Sequence, residues 1–233
     1  MPPILRTLNP CYPRSGHRFL RNMSKAYFGP RLIFGKAHTD TNDVVAEANY
    51  VKDHDFDLMK GNTGIPITPA AQYLVQYRHP LESVQSFFEF QVHHKQLQDT
   101  REHWQMFLPK ALEYWKGFVF KWCLDPNLPS SCRVHALSYG NLYTNPHKSV
   151  ADVIDFLTAG REEIDTKKLD HAVEKFTGDF ARYVDQEAKG TRPVSQLRDI
   201  RTFRYFDDTL PEIERSLVQE YLNPLGLDQK LVD

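Results

Sequence analysis

Apolar positions along the chain fall into short runs that alternate with longer stretches of helical spacing. Ile4-Leu5-Arg6-Thr7-Leu8 reads as a first strand, followed by a turn with proline and glycine over 10–16 and a helix from His17 to Tyr27. Leu32-Ile33-Phe34 and Asn49-Tyr50-Val51 read as the next two strands. Gln72-Tyr73-Leu74-Val75-Gln76-Tyr77 has the content of a buried strand. It ends at Arg78-His79-Pro80, where proline suits the first turn of a helix reaching Gln98. Trp104, Phe107, Leu108, Ala111, Trp115, Phe118 and Trp122 recur at three- and four-residue spacing, which predicts one long amphipathic helix over 101–123 with its aromatics in the core. Val134 to Tyr139 reads as a fifth strand, and Asn145-Pro146 opens a helix with Val150, Val153, Ile154 and Leu157 inward. Further helices are expected over 166–177 and 211–222, and the polar, basic, aperiodic segment 185–205 is a candidate functional loop. Short strands alternating with helices predict a parallel sheet covered on both faces.

At 233 residues the chain has the length of one sizeable α/β domain spanning 1–233. Its net charge of -1 gives no global attraction to nucleic acid or to an anionic membrane, so neither is an expected partner. Charge is uneven locally. Arg6, Arg14, Arg18, Arg21, Lys25, Arg31 and Lys36 precede the first acidic residue, Asp40, which suits the first unit to an anion. Asp40, Asp43, Glu47, Asp53, Asp55 and Asp57 then stand against Lys52 alone, the pattern of a solvated acidic loop. Cys11, Cys123 and Cys132 form no CxxC pair and no disulfide framework, in keeping with a reducing compartment. No run approaches the roughly 20 apolar residues of a membrane span, and no secretory signal pattern opens the chain. A cytoplasmic location is the expectation.

The first strand, turn and helix carry the clearest chemistry. A turn that leaves a strand and enters a helix points several backbone N–H groups into one concavity, and the helix dipole favours an anion there. Gly16 lets the backbone approach closely, and Arg14 adds a charge whose donors match a tetrahedral oxyanion. The GxxxxGK[ST] spacing of a nucleoside-triphosphate loop is missing, which disfavours an ordinary kinase or ATPase.

Tyr12-Pro13-Arg14-Ser15-Gly16 resembles the Y-P-[KR]-S-G loop of the sulfotransferases. The resemblance implies that Arg14, Ser15, Gly16, His17, Arg18 and Phe19 hold the 5′-phosphosulfate and adenine of 3′-phosphoadenosine 5′-phosphosulfate (PAPS). His17 and Arg18 replace two threonines of the family pattern, and Phe19 replaces a tryptophan. Arg78-His79-Pro80-Leu81-Glu82, continuing to Ser86 and Phe88, is similar to R-[NH]-P-x-[DE]-x-x-x-S-x-[YF], whose arginine and serine hold the 3′-phosphate. Leu137-Ser138-Tyr139-Gly140-Asn141-Leu142 resembles a strand end whose tyrosine contacts the adenine side, a role that Tyr139 shares with plain core packing. Ala188-Lys189-Gly190-Thr191-Arg192 matches a late R-K-G loop in part, nominating Lys189, Gly190 and Arg192 for the 3′-phosphate. Lys52-Asp53-His54 and Lys36-Ala37-His38 both resemble K-[TS]-H, in which the histidine is the base. In the family that histidine lies some twenty residues before the 3′-phosphate arginine; His54 precedes Arg78 by 24 residues and His38 by 40, so the resemblance favours His54.

The resemblance implies an α/β fold of P-loop NTPase-like sulfotransferase architecture, a single domain with a central, mostly parallel sheet of about five strands flanked by helices. It further implies sulfuryl transfer from PAPS to a hydroxyl or amine of a small-molecule acceptor, with His54, Lys52 and Arg14 at the reacting centre, PAP as product and no metal. A homodimer is compatible with it. Competing readings are a non-catalytic adenosine-phosphate-binding protein and a divergent P-loop kinase.

Overall fold

The computed structural model describes residues 2–37, 40–69, 71–187 and 200–225, with the side chains of 178–187 and 225 outside the description. Five strands form one all-parallel sheet: β1 Thr7–Pro10, β2 Phe34–Lys36, β3 Tyr50–Asp53, β4 Gln72–Tyr77 and β5 Arg133–Ser138, in the order β2-β3-β1-β4-β5. Described helices are α1 His17–Phe28, α2 Asn42–Glu47, α3 Pro80–His93, α4 Arg101–Val119, α5 Tyr139–Thr144, α6 Pro146–Thr158, α7 Thr166–Glu187 and α8 Leu210–Leu217. Among the described residues no helix is long and apolar enough to cross a membrane.

β4 shows how the sequence builds the layers. Successive side chains of a strand face opposite sides, and here both sides are covered. Tyr73, Val75 and Tyr77 enter a core with α3, α4 and α8, while Leu74 enters a second core with α1, α6 and α7. The aromatic stripe of α4 lies in the first core as expected, with Trp104, Trp115 and Trp122 buried. The helix carries on as a π-helical turn over Phe120–Leu124.

Several boundaries differ from the sequence reading. β1 lies over Thr7–Pro10 instead of 4–8, because pairing begins where Thr7 meets Tyr50 on one side and Gln72 on the other. β2 and β3 are likewise shifted toward the C-terminus. Tyr139 belongs to α5 and not to the end of β5, because the Ser138 hydroxyl accepts the Asn141 N–H and caps a new helix. The acidic segment is not all loop: α2 forms within it, and Arg6 closes that helix by donating to the Val45 and Ala46 carbonyls.

The order of strands places a switch point at β1. From β1 the chain goes to the edge strand β2, returns to β3 between the two, then crosses β1 to reach β4 and β5. In open parallel sheets, loops diverge at such a point and leave a crevice at the C-terminal strand ends.

Candidate functional site

Four strand ends deliver the sequence-nominated residues to that crevice. The loop 11–16 follows β1, Lys52 and Asp53 end β3, Arg78 follows β4, and Ser138 ends β5. The loop is anchored from both neighbouring strands: Cys11 N–H donates to Asp53 O at 2.8 Å and Tyr12 N–H to Gln76 O at 2.8 Å. Ser15 folds inward, its hydroxyl donating to Tyr12 O at 2.6 Å. Arg14 and Gly16 both adopt positive φ, 68° and 79°. Gly16 is the N-cap of α1, so no side chain caps that helix, and no acidic residue stands in its first turn. Its first N–H groups have no intrahelical acceptor and are able to donate to an anion.

Tyr139 ties three of the motifs together. A Cβ on Gly16 would lie 2.4 Å from the Tyr139 ring, so the glycine is required by contact as well as by φ. The same ring also meets Arg78, whose guanidinium sits 4.6 Å from the ring centroid. Arg78 is buried, its Nε donates to Glu82 at 2.9 Å, and Trp115 Nε1 donates to its carbonyl. Arg14 reaches across to α3: its Nε donates to Ser86 Oγ at 3.2 Å, and its guanidinium lies over Phe90. The loop arginine and the α3 serine, nominated for opposite ends of one nucleotide, therefore meet directly.

The second part of the site follows β3. Lys52 Nζ and His54 Nε2 are 2.5 Å apart, and His54 Nδ1 lies 2.7 Å from the Cys11 carbonyl. A carbonyl only accepts, so Nδ1 carries the hydrogen and the Nε2 lone pair accepts from the lysine. Burial lowers the Lys52 pKa, as do the charges of Lys36 and Arg21. Cys11 Sγ lies 3.5 Å from the imidazole, but burial pushes the thiol up to about 12, so it stays protonated beside the histidine.

Three supporting residues escaped the sequence reading. Tyr114 on α4 donates its hydroxyl to the His54 carbonyl. Asp55 is buried and receives Lys121 Nζ at 2.8 Å, Trp122 Nε1 at 2.9 Å and the Ile65 N–H at 2.6 Å. Asn9 on β1 holds His17 Nδ1 at 2.9 Å. An acidic residue next to K-x-H was a legible signal for Asp55, whereas Tyr114 comes from a distant element and Asn9 from a strand position with no motif, and neither left one.

The other nominated residues divide. His17 faces the Lys52 side, Arg18 is exposed, and Phe19 packs at the edge of the core formed with α6 and α7. His38, Lys189, Gly190 and Arg192 lie outside the described residues. Acidic side chains expected to be solvated are partly consumed: Asp40 accepts the Lys36 N–H, Asp53 the Asp55 N–H, and Asp57 pairs with Lys60.

Compared with solved structures, the chain is similar to mouse sulfotransferase SULT7A1 complexed with PAP, at a TM-score of 0.61 and 14% sequence identity over 93% of this chain and 84% of that one. The chain has a sulfotransferase-like fold. No protein-family model matches the sequence, and no curated protein matches it. The likeness thus lies in the course of the backbone.

Proposed function

We propose that the chain is a sulfotransferase that uses PAPS as donor and a hydroxyl or amine as acceptor. The observation that carries this reading is the convergence of loop 12–19, Arg78, Ser86, Tyr139 and the Lys52–His54 pair at the C-terminal ends of adjacent parallel strands. The mouse relative in fold is a sulfotransferase complexed with PAP, which supports a nucleotide of that type in the same crevice.

The donor set fits such an anion. An uncapped helix start, Arg14 and a partly buried Lys52 offer N–H groups and positive charge in one place. PAPS supplies a sulfuryl group activated by its bond to phosphate. Within this reading Lys52 has two functions. Its hydrogen bond to Nε2 fixes the orientation and tautomer of the His54 ring, and its ammonium neutralises charge on the transferring group once an anion draws it away. Nε2 is then open to take the acceptor's proton, while the Nδ1 hydrogen bond to Cys11 O steadies the ring and the imidazolium that forms. Arg14 and the α1 N–H groups stabilise charge on the departing phosphate, the positioning and electrostatic logic of phosphoryl transfer.

Incubating the protein with radiolabelled PAPS and a panel of alcohols, phenols, amines and glycans tests the proposal. Label in an acceptor supports it. Binding of PAP with no transfer to any acceptor favours a non-catalytic nucleotide-binding protein, and magnesium-dependent transfer from ATP favours a kinase.

A further inference from the structure

His17 opens α1 where the family pattern carries a threonine, and the transfer just described gives it no role. Its ring is held on several sides. Nδ1 meets Asn9 Oδ1 at 2.9 Å, the plane stacks on Tyr50 at 6.3 Å between centroids, and Phe34 lies 5.6 Å away. Asn9 is itself fixed, because it is buried and its amide nitrogen donates to Leu74 O. That bond leaves Oδ1 as the acceptor facing the histidine, so the His17 hydrogen is on Nδ1 and the lone pair on Nε2.

The groups around the ring are cationic or neutral. Lys52 stands beside Asn9 in the β1–β3 register, His54 lies just past the end of β3, and Arg21 lies one turn along α1. From β4, Gln76 is a neutral side-chain hydrogen-bond partner that favours the charged ring but is outweighed by the burial and the cations, and burial keeps the Tyr50 phenol protonated. Burial first, then Lys52, His54 and Arg21, hold the His17 pKa well below the ordinary histidine value. A neutral imidazole presents a lone pair, which repels an oxyanion; an imidazolium presents a charged donor in its place. An arriving dianion supplies the negative charge that these neighbours lack, and so reverses the balance that keeps the ring neutral.

We propose that His17 takes up a proton at Nε2 when a phosphate- or sulfate-bearing ligand enters the loop, so that the site binds its anion together with a proton. The proton comes from solvent, and no bond in the ligand changes. The inference rests on the anion-site reading above and extends it to this residue. Affinity then rises as pH falls, by about tenfold per pH unit between the bound-state and free-state His17 pKa values, and is level below the lower one.

Calorimetry on the intact chain with adenosine 3′,5′-bisphosphate, at neutral pH in buffers of different ionisation enthalpy, reads the protons taken up. Uptake is expected in wild type and absent from His17→Gln and His17→Thr. Equal uptake in wild type and both variants, or loss only in His54→Gln, overturns the proposal. NMR of the His17 ring in wild type gives the same answer without substitution: a shift to imidazolium on ligand addition supports it, and a ring that stays neutral rejects it. Inorganic pyrophosphate is titrated in parallel. Proton-linked binding of pyrophosphate without binding of the nucleotide upholds His17 and rejects the PAPS reading. Nucleotide binding without proton uptake does the reverse, and binding of neither rejects both.

Discussion

His54 shows how neighbours can prepare a single side chain for the proton transfer proposed above. The Cys11 carbonyl selects the tautomer, Lys52 occupies the lone pair, and Tyr114 holds the backbone oxygen of the same residue. Replacing it with glutamine is expected to lower kcat by about a hundredfold to ten-thousandfold while PAP affinity in calorimetry stays near wild type. Ser86→Ala removes a hydroxyl that the proposed function assigns to the nucleotide, and the predicted effect is a PAP Kd raised by about tenfold or more, the worth of a hydrogen bond to a charged group. Gly16→Ala meets two obstacles, a φ of 79° and the Tyr139 ring at 2.4 Å. A loss of about 1–3 kcal/mol is expected in urea unfolding, and a denaturation midpoint equal to wild type would contradict the contact. At this scale the sequence was informative where a short motif holds its chemistry in consecutive residues, as in Tyr12 to Gly16. It was silent for Asn9 and Tyr114, whose meaning depends on partners 8 and 60 residues away.

At the scale of elements, the segment after β3 is fastened by charge. Asp55 is buried between Lys121 and Trp122 of the π-helical turn that continues α4, and this ties the residue following His54 to the aromatic layer. Breaking a buried pair by removing one partner costs about 3–5 kcal/mol. Asp55→Ala is therefore expected to lower stability by that order and to reduce kcat through a displaced His54. Lys121→Met/Asp55→Met together should recover part of the stability, because no charge is then left buried alone. The periodic elements were legible: β4 is Gln72–Tyr77 as read, and α4 follows its aromatic stripe. What escaped were elements decided by caps and tertiary partners. α5 begins because Ser138 caps it, and α2 is closed by Arg6, the residue before β1. Neither signal has a hydrophobic period.

For the whole molecule, the parallel sheet and its switch at β1 determine which loops can meet. Residues 12–19, 52–54, 78–86 and 139 come together because β3, β1, β4 and β5 are neighbours in that order. The alternation of strands and helices made the fold class legible, while the strand order depends on long-range pairing that local pattern does not encode. Burial also shapes the pH dependence of the fold. The Cys11 thiol rises from 9.0 to about 12 in the folded chain, so the folded state keeps a proton that the unfolded chain gives up. Its contribution is complete below about pH 9 and declines as pH rises further, by up to about 1.4 kcal/mol per pH unit. Urea midpoints followed into alkali should fall less steeply for Cys11→Ala than for wild type. The most direct test of the account is transfer of label from radiolabelled PAPS to an acceptor by wild type and His54→Gln in matched preparations that both bind PAP. The account predicts sulfated product from the wild type and at least a hundredfold less from the variant; equal rates from the two, or no product from a PAP-binding wild type with any acceptor, would contradict it.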